Sequence, residues 1–223
     1  MIAAIVLETV RRRWTSLYFY LFVAWIIVMA VVGVLGNLDA KGGLGVATIA
    51  FFLAFELIGP EASAGSLHLA LARPIRRSTY LLARYAGVVI SATLLILVAA
   101  VASLVTAAVN TGSSIELEPF LFDLLATVTN LLFPIAVIAF FGTFTSSYAN
   151  VLLFLFYSLV VMGVSSHVAA EFPRIHSLVW PELLPQIIPG VLDGHLAAVS
   201  NSLIVLFFAA LLLNRRELGY GRE

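Results

Sequence analysis

The sequence has no cysteine, which excludes disulfides, thiolate metal sites and a cysteine nucleophile, and leaves the redox compartment open. It has a single lysine, Lys41, and Gly42 follows it. A P-loop needs a lysine followed by Ser or Thr, so this chain holds no ATP in that manner. Charge of either sign is scarce: Asp, Glu, Lys and Arg make up 11% of the 223 residues, against roughly a quarter in ordinary soluble domains. Twelve basic and twelve acidic residues cancel, so net charge points to no nucleic acid and no acidic partner. No H-E-x-x-H motif, internal repeat or low-complexity tract occurs.

What is present is apolar. Hydrophobic residues are 62% of the chain, and a mean hydropathy of +1.09 cannot be spread over a water-exposed surface. The expectation is an all-α membrane protein formed by one domain, 1–223, with lipid as its main solvent. The apolar run after Arg11-Arg12-Arg13 is about 20 residues, longer than a signal-peptide core of roughly 7–15, and no small-x-small cleavage site follows. It reads as an uncleaved first span.

Runs of about 20 residues without charge locate the spans. Leu17–Gly36 is clean, and Leu44–Ile58 is short and carries Glu56. Tyr85–Val109 is the third. Leu124–Ala170 has no charge and is long enough for two, with Gly142–Asn150 as the polar break. Leu196–Leu213 completes a set of six transmembrane helices. The basic residues orient them. Arg11, Arg12, Arg13, Arg73, Arg76, Arg77, Arg84, Arg215, Arg216 and Arg222 fall on one side, which the positive-inside rule makes cytoplasmic. Lys41 and Arg174 lie opposite, among mostly acidic loops. Both termini are then cytoplasmic, in the inner membrane.

Three segments fit neither a span nor a short turn. Residues 1–13 suit an amphipathic interfacial helix, with Ile2, Val6 and Val10 on one face and Glu8, Arg11 and Arg12 on the other. Residues 60–84 form a long polar cytoplasmic loop. Residues 167–195 carry Pro173, Pro181, Pro185 and Pro189, too broken to span and expected to be re-entrant or interfacial outside the cytoplasm.

Within 60–84, Glu61–Arg77 reads EASAGSLHLALARPIRR. Pro60 suits a helix start and Glu61 suits its dipole, while Leu67 and Leu71 give an apolar side before Pro74 stops it. The plainer outcome is an interfacial helix anchored by arginines. The arrangement also resembles the coupling region of ABC-2 type permeases, in residues Glu61, Gly65, Ser66, Leu67, Leu71, Pro74 and Arg77. Leu184-Pro185, Pro189-Gly190, Asp193-Gly194 and Asn214-Arg215-Arg216 are similar to that family as well, although the external loops are short for it.

The resemblance implies a cytoplasmic coupling helix, between the second and third spans, that docks into a separate nucleotide-binding ATPase. Two copies of that ATPase would serve two permease chains, as a homodimer or a heterodimer. ATP and Mg would sit on the ATPase, with no cofactor bound by this chain and membrane lipid as its other partner. The function implied is export, with the substrate unspecified. A pathway between protomers would be lined by the first, second and fifth spans, which offer Tyr18, Tyr20, Trp25, Thr48, Phe52, Tyr157 and Ser158.

Glu56 is the one carboxylate well inside an expected span, and such a residue is a functional candidate by default. It lies about one turn from the cytoplasmic end, where pairing with Arg73 or Arg84 competes with substrate or proton handling. His167 and Glu171 share an i, i+4 spacing but lack a second histidine at matching distance, so a metal site is disfavoured. Thr129, Asn130 and Pro134 suggest a kink or packing in the fourth span. Two other function classes stay open: an intramembrane hydrolase or protease, which wants more buried Glu, His or Asp than Glu56, and an energy-independent carrier or scaffold.

Overall fold

A computed structural model describes residues 2–35, 53–54, 76–110, 117–145, 149, 152–157, 160 and 191–215. The described residues are helical with no strand. Helix α1 spans Ile2–Trp14, α2 Leu17–Leu35, α3 Arg77–Asn110, α4 Leu117–Gly142 and α5 Val191–Arg215. A further helical stretch covers 152–157.

No proline or glycine interrupts residues 2–14, and the helix ends where Thr15 and Ser16 offer their own hydrogen bonds. The Thr15 N–H and hydroxyl both return to the Arg11 carbonyl, at 3.1 and 3.2 Å. Ser16 then opens α2, its carbonyl accepting the Phe19 N–H at 3.1 Å. The two helices meet at 72°, and Trp14 packs on Phe19 across the corner, ring centroids 4.9 Å apart. This bend suits a helix lying in the membrane interface that turns into a span. In α1, Val6 and Val10 are half-buried while Glu8, Arg11 and Arg12 are exposed, as the pattern predicts. Ile2 is exposed, and the most buried residue is the polar Thr9.

Among the described residues, three helices are long and apolar enough to cross a membrane: α3, α4 and the Ala198–Arg215 part of α5. Taking α1 and α2 as one bent span gives a fourth. The expected second span lies outside the described residues except at 53–54, which are helical. Of the fifth, 152–157 are helical. Residues 55–75 and 161–190 also lie outside.

Helix α2 occupies the expected first span. Three other boundaries move. Helix α3 starts at Arg77, eight residues before the uncharged run, so Arg77 and Arg84 are helical and not in a loop. At 34 residues it is about 51 Å long, against about 30 Å of hydrocarbon, so it tilts or projects into the interface. Helix α4 starts at Leu117 and takes in Glu118, whose carboxylate suits the first turn, and Asp123 one turn further on. Helix α5 starts at Val191, directly after Pro189-Gly190, so residues 191–195 of the proline-broken segment are regular helix.

Helix α3 is the hub, packed by α1, α2, α4 and α5. Its first half buries Tyr80, Leu81, Arg84, Val88, Ser91 and Leu95, a 3–4 residue stripe. The start of α3 lies beside the end of α5, where Arg77 meets Leu213 and Asn214, and the six residues between α3 and α4 are too few to return along either helix. These helices therefore run antiparallel to α3, and the arginines of α1, α3 and α5 gather at one end of the bundle.

Candidate functional site

Two polar junctions stand out in this apolar bundle. The first lies at the basic end, where α1 crosses α3. Gly87 makes the crossing possible, because a Cβ there would lie 2.7 Å from Thr9 Cβ and 2.8 Å from its Cγ2. One turn earlier, Arg84 is buried and donates from Nη1 to Thr9 Oγ1 at 3.2 Å. Thr9 Oγ1 in turn donates to the Ile5 carbonyl at 2.7 Å. The Arg84 guanidinium also lies over the Tyr80 ring, 5.8 Å from its centroid. A notch and a buried hydrogen bond thus fix both the distance and the register of α1 on α3.

Arg77, the first residue of α3, turns back into its own chain. Its Nη1 donates to the carbonyls of Leu213 and Asn214 at 3.3 and 3.5 Å. A cation at these last carbonyls of α5 satisfies groups that have no partner within the helix.

The second junction lies deeper. The Tyr85 hydroxyl of α3 donates to the Leu132 carbonyl of α4 at 3.0 Å and has the Ser202 hydroxyl of α5 beside it. Ser202 Oγ donates to the Ala198 carbonyl at 2.5 Å. Thr129 and Asn201 are buried on the same two helices. Buried polar groups in lipid must find partners within the protein, and here three helices supply them to one another.

The expected site residues divide as follows. Glu61, Gly65, Ser66, Leu67, Leu71 and Pro74 lie outside the described residues, as do Glu56 and Arg73, and Thr48, Phe52 and Ser158 of the route. Arg84, expected near Glu56, is engaged with Thr9 across the α1–α3 crossing. Of the route residues, Tyr20 and Trp25 are exposed on α2. They accompany Leu21, Val28 and Val32 along a single uncharged stripe. Tyr157 is packed instead, its ring 6.2 Å from that of Phe141. His167 and Glu171 lie outside, and among the described residues no group of three His, Cys, Asp or Glu could hold a metal.

Helix lengths, the bent entry helix and the uncharged exposed faces describe a membrane component, and the family comparison agrees with it. Residues 7–213 match the family model described as ABC-2 family transporter protein. The chain belongs to that family. No curated protein matches it. As an ABC-2 family member it is a multi-pass membrane component of a transporter and not an enzyme by itself, and such permeases generally work with an ATPase partner.

The first junction was half legible. Arg84 stood out as a charge beside a span, but Thr9 and Gly87 gave no signal that they meet, nor Thr9 that it pairs with Arg84 across 75 residues. A lone glycine in an otherwise glycine-free helix of 34 residues was the available clue. Tyr85 and Ser202 carried no motif.

Proposed function

We propose that this chain is the permease subunit of an ATP-driven exporter. Two copies, identical or related, are served by two cytoplasmic nucleotide-binding ATPase subunits in the inner membrane. The observation that carries this reading is the family match over 7–213. The basic end of the bundle is the cytoplasmic end, on the positive-inside rule. Both termini and the 60–76 segment lie there, and Glu61–Ala72 forms the coupling helix that enters a groove of the ATPase. ATP and Mg stay on that partner.

The substrate is hydrophobic or amphiphilic. The exposed stripe of α2, with Leu21, Trp25, Val28 and Val32, offers no charged group to a solute. A charged solute crossing beside it would lose hydration without compensation, at a cost of several kcal/mol. Export rather than import is the direction the family resemblance suggests.

Reversing Glu61 to arginine tests the coupling assignment. The variant is expected to lose co-purification with the ATPase, or to hydrolyse ATP without transport, while remaining folded. Full transport with normal subunit association would overturn it. In proteoliposomes holding both subunits, lipid-like solutes should stimulate ATP hydrolysis and be moved. Transport of a hydrophilic ion alone would overturn the substrate class.

A further inference from the structure

Pro134 divides α4 into halves of unlike packing. From Leu131 onward the helix is nearly enclosed, with Leu131, Phe133, Ile135, Ile138 and Ala139 all buried. Before that point Leu121, Phe122 and Leu125 are exposed. Proline has no N–H, so the Asn130 carbonyl lacks its usual i+4 donor, and the pyrrolidine ring crowds it. The weakest turn of α4 therefore coincides with the boundary between a held half and a loosely held half. Bends in long helices localise at such positions.

Tyr85 grips α4 at that boundary, on the Leu132 carbonyl. The grip is easily released. Two hydroxyls, Tyr85 and Ser202, have two protons for three possible hydrogen bonds: Tyr85 to Leu132 and Ser202 to Ala198, which form here, and Tyr85 to Ser202, the alternative. At any instant only two of the three can form. If α4 withdraws, the Tyr85 hydroxyl turns to donate to the Ser202 oxygen and no buried donor is stranded. A carbonyl accepts two hydrogen bonds, so Leu132 keeps the one that α-helical geometry provides. Stranding a buried donor would cost about 1–3 kcal/mol, and this arrangement avoids it.

The geometry points to a hinge in α4 at Pro134, about which residues 117–132 swing, with the Tyr85 hydroxyl as the latch that holds Leu132, and so the moving half, in the state described here. Residues 135–142 stay fixed to α3 and α5. The swing needs neither substrate nor ATPase to be observed, so its failure would leave the transport assignment untouched.

The cysteine-free chain lends itself to spin-label distance measurements on full-length protein in lipid nanodiscs. Leu121→Cys with Val105→Cys reports the outer half of α4 against α3, and Leu82→Cys with Phe144→Cys reports the inner half. All four positions are exposed. Tyr85→Phe should broaden the outer distance distribution and leave the inner one unchanged. Adding Pro134→Ala, which restores the missing N–H, should narrow the outer distribution again. Ser202→Ala removes the alternative acceptor and should leave the outer distribution unchanged or narrower. An unchanged outer distribution in Tyr85→Phe would overturn the latch, and so would equal broadening of both pairs. Broadening in Ser202→Ala would overturn the exchange between partners, and persistent broadening in Tyr85→Phe/Pro134→Ala would overturn the proline as the hinge.

Discussion

At the basic end, α3 sinks Tyr80, Leu81, Arg84 and Val88 into its neighbours and receives α1 in the Gly87 notch. Toward the far end the same helix leaves Leu97, Val101 and Val105 exposed, Val101 at 58%. Helix α4 repeats the contrast, with Leu131 at 1% and Leu125 at 53% exposure. One end is held by tight packing and directed hydrogen bonds, and the other presents apolar surface. In lipid, apolar exposure is not itself penalised, because hydrocarbon tails are as apolar as leucine. What separates the ends is therefore packing and polar register, and that places mechanical stiffness at the basic end, the one proposed above to face the ATPase.

The sharpest way to break this comparison is to truncate matched leucines on α4. Leu131→Ala should lower stability by about 2–3 kcal/mol through the cavity it leaves, whereas Leu125→Ala should change it by less than about 0.5 kcal/mol. Thermal unfolding in detergent, followed by loss of monodisperse protein, reads both. Equal effects would mean that the two halves of α4 are held alike.

A smaller effect is expected from Gly87→Val, about 1–3 kcal/mol, because the added side chain meets Thr9 and α1 must lift away. Limited proteolysis should then cut near the Thr15–Ser16 corner, where the parent chain resists. Continued resistance would mean that α1 does not need the notch. The smallest effect belongs to Arg77→Gln, which removes the cation from the final carbonyls of α5 at about 0.3–1 kcal/mol. Faster amide exchange confined to the last turn of α5 is the expected signature. Faster exchange along the whole helix would assign Arg77 a wider role.

Sequence legibility followed the same division. Absence of charge located α2 closely, because 19 uncharged residues bounded by arginines and a polar turn permit little else. The same rule misplaced the start of α3, since it treats arginine as loop whenever no partner is visible. Arg84 is tolerated in the helix because Thr9 receives it, and Thr9 belongs to another helix. At the start of α4, Asp123 and Glu118 misled in the same way, although a carboxylate in the first turn, as Glu118 is, is favourable. The amphipathic reading of α1 found its polar face but not its buried threonine, because periodicity tracks apolar residues and Thr9 is buried by a hydrogen bond and a glycine. Thr129, Asn130 and Pro134 were visible as a kink candidate. The hydroxyls that meet beside them, Tyr85 and Ser202, come from other helices and left no periodic trace.

The Gly87 notch also dictates an order of events while the chain is being made. Helix α1 is synthesised first, yet its seat on α3 does not exist until residue 87 has left the ribosome, and the Thr9–Arg84 hydrogen bond beside that seat closes over 75 positions. In the interval α1 must wait without its partner. Its exposed Arg11 and Arg12, with Leu7 nearby, give it somewhere to wait: the headgroup layer, where an amphipathic helix is stable by itself. Arrival of α3 then draws Thr9 off the membrane surface and into the bundle, so α1 changes from a surface-bound segment to a docked one only after α3 has emerged.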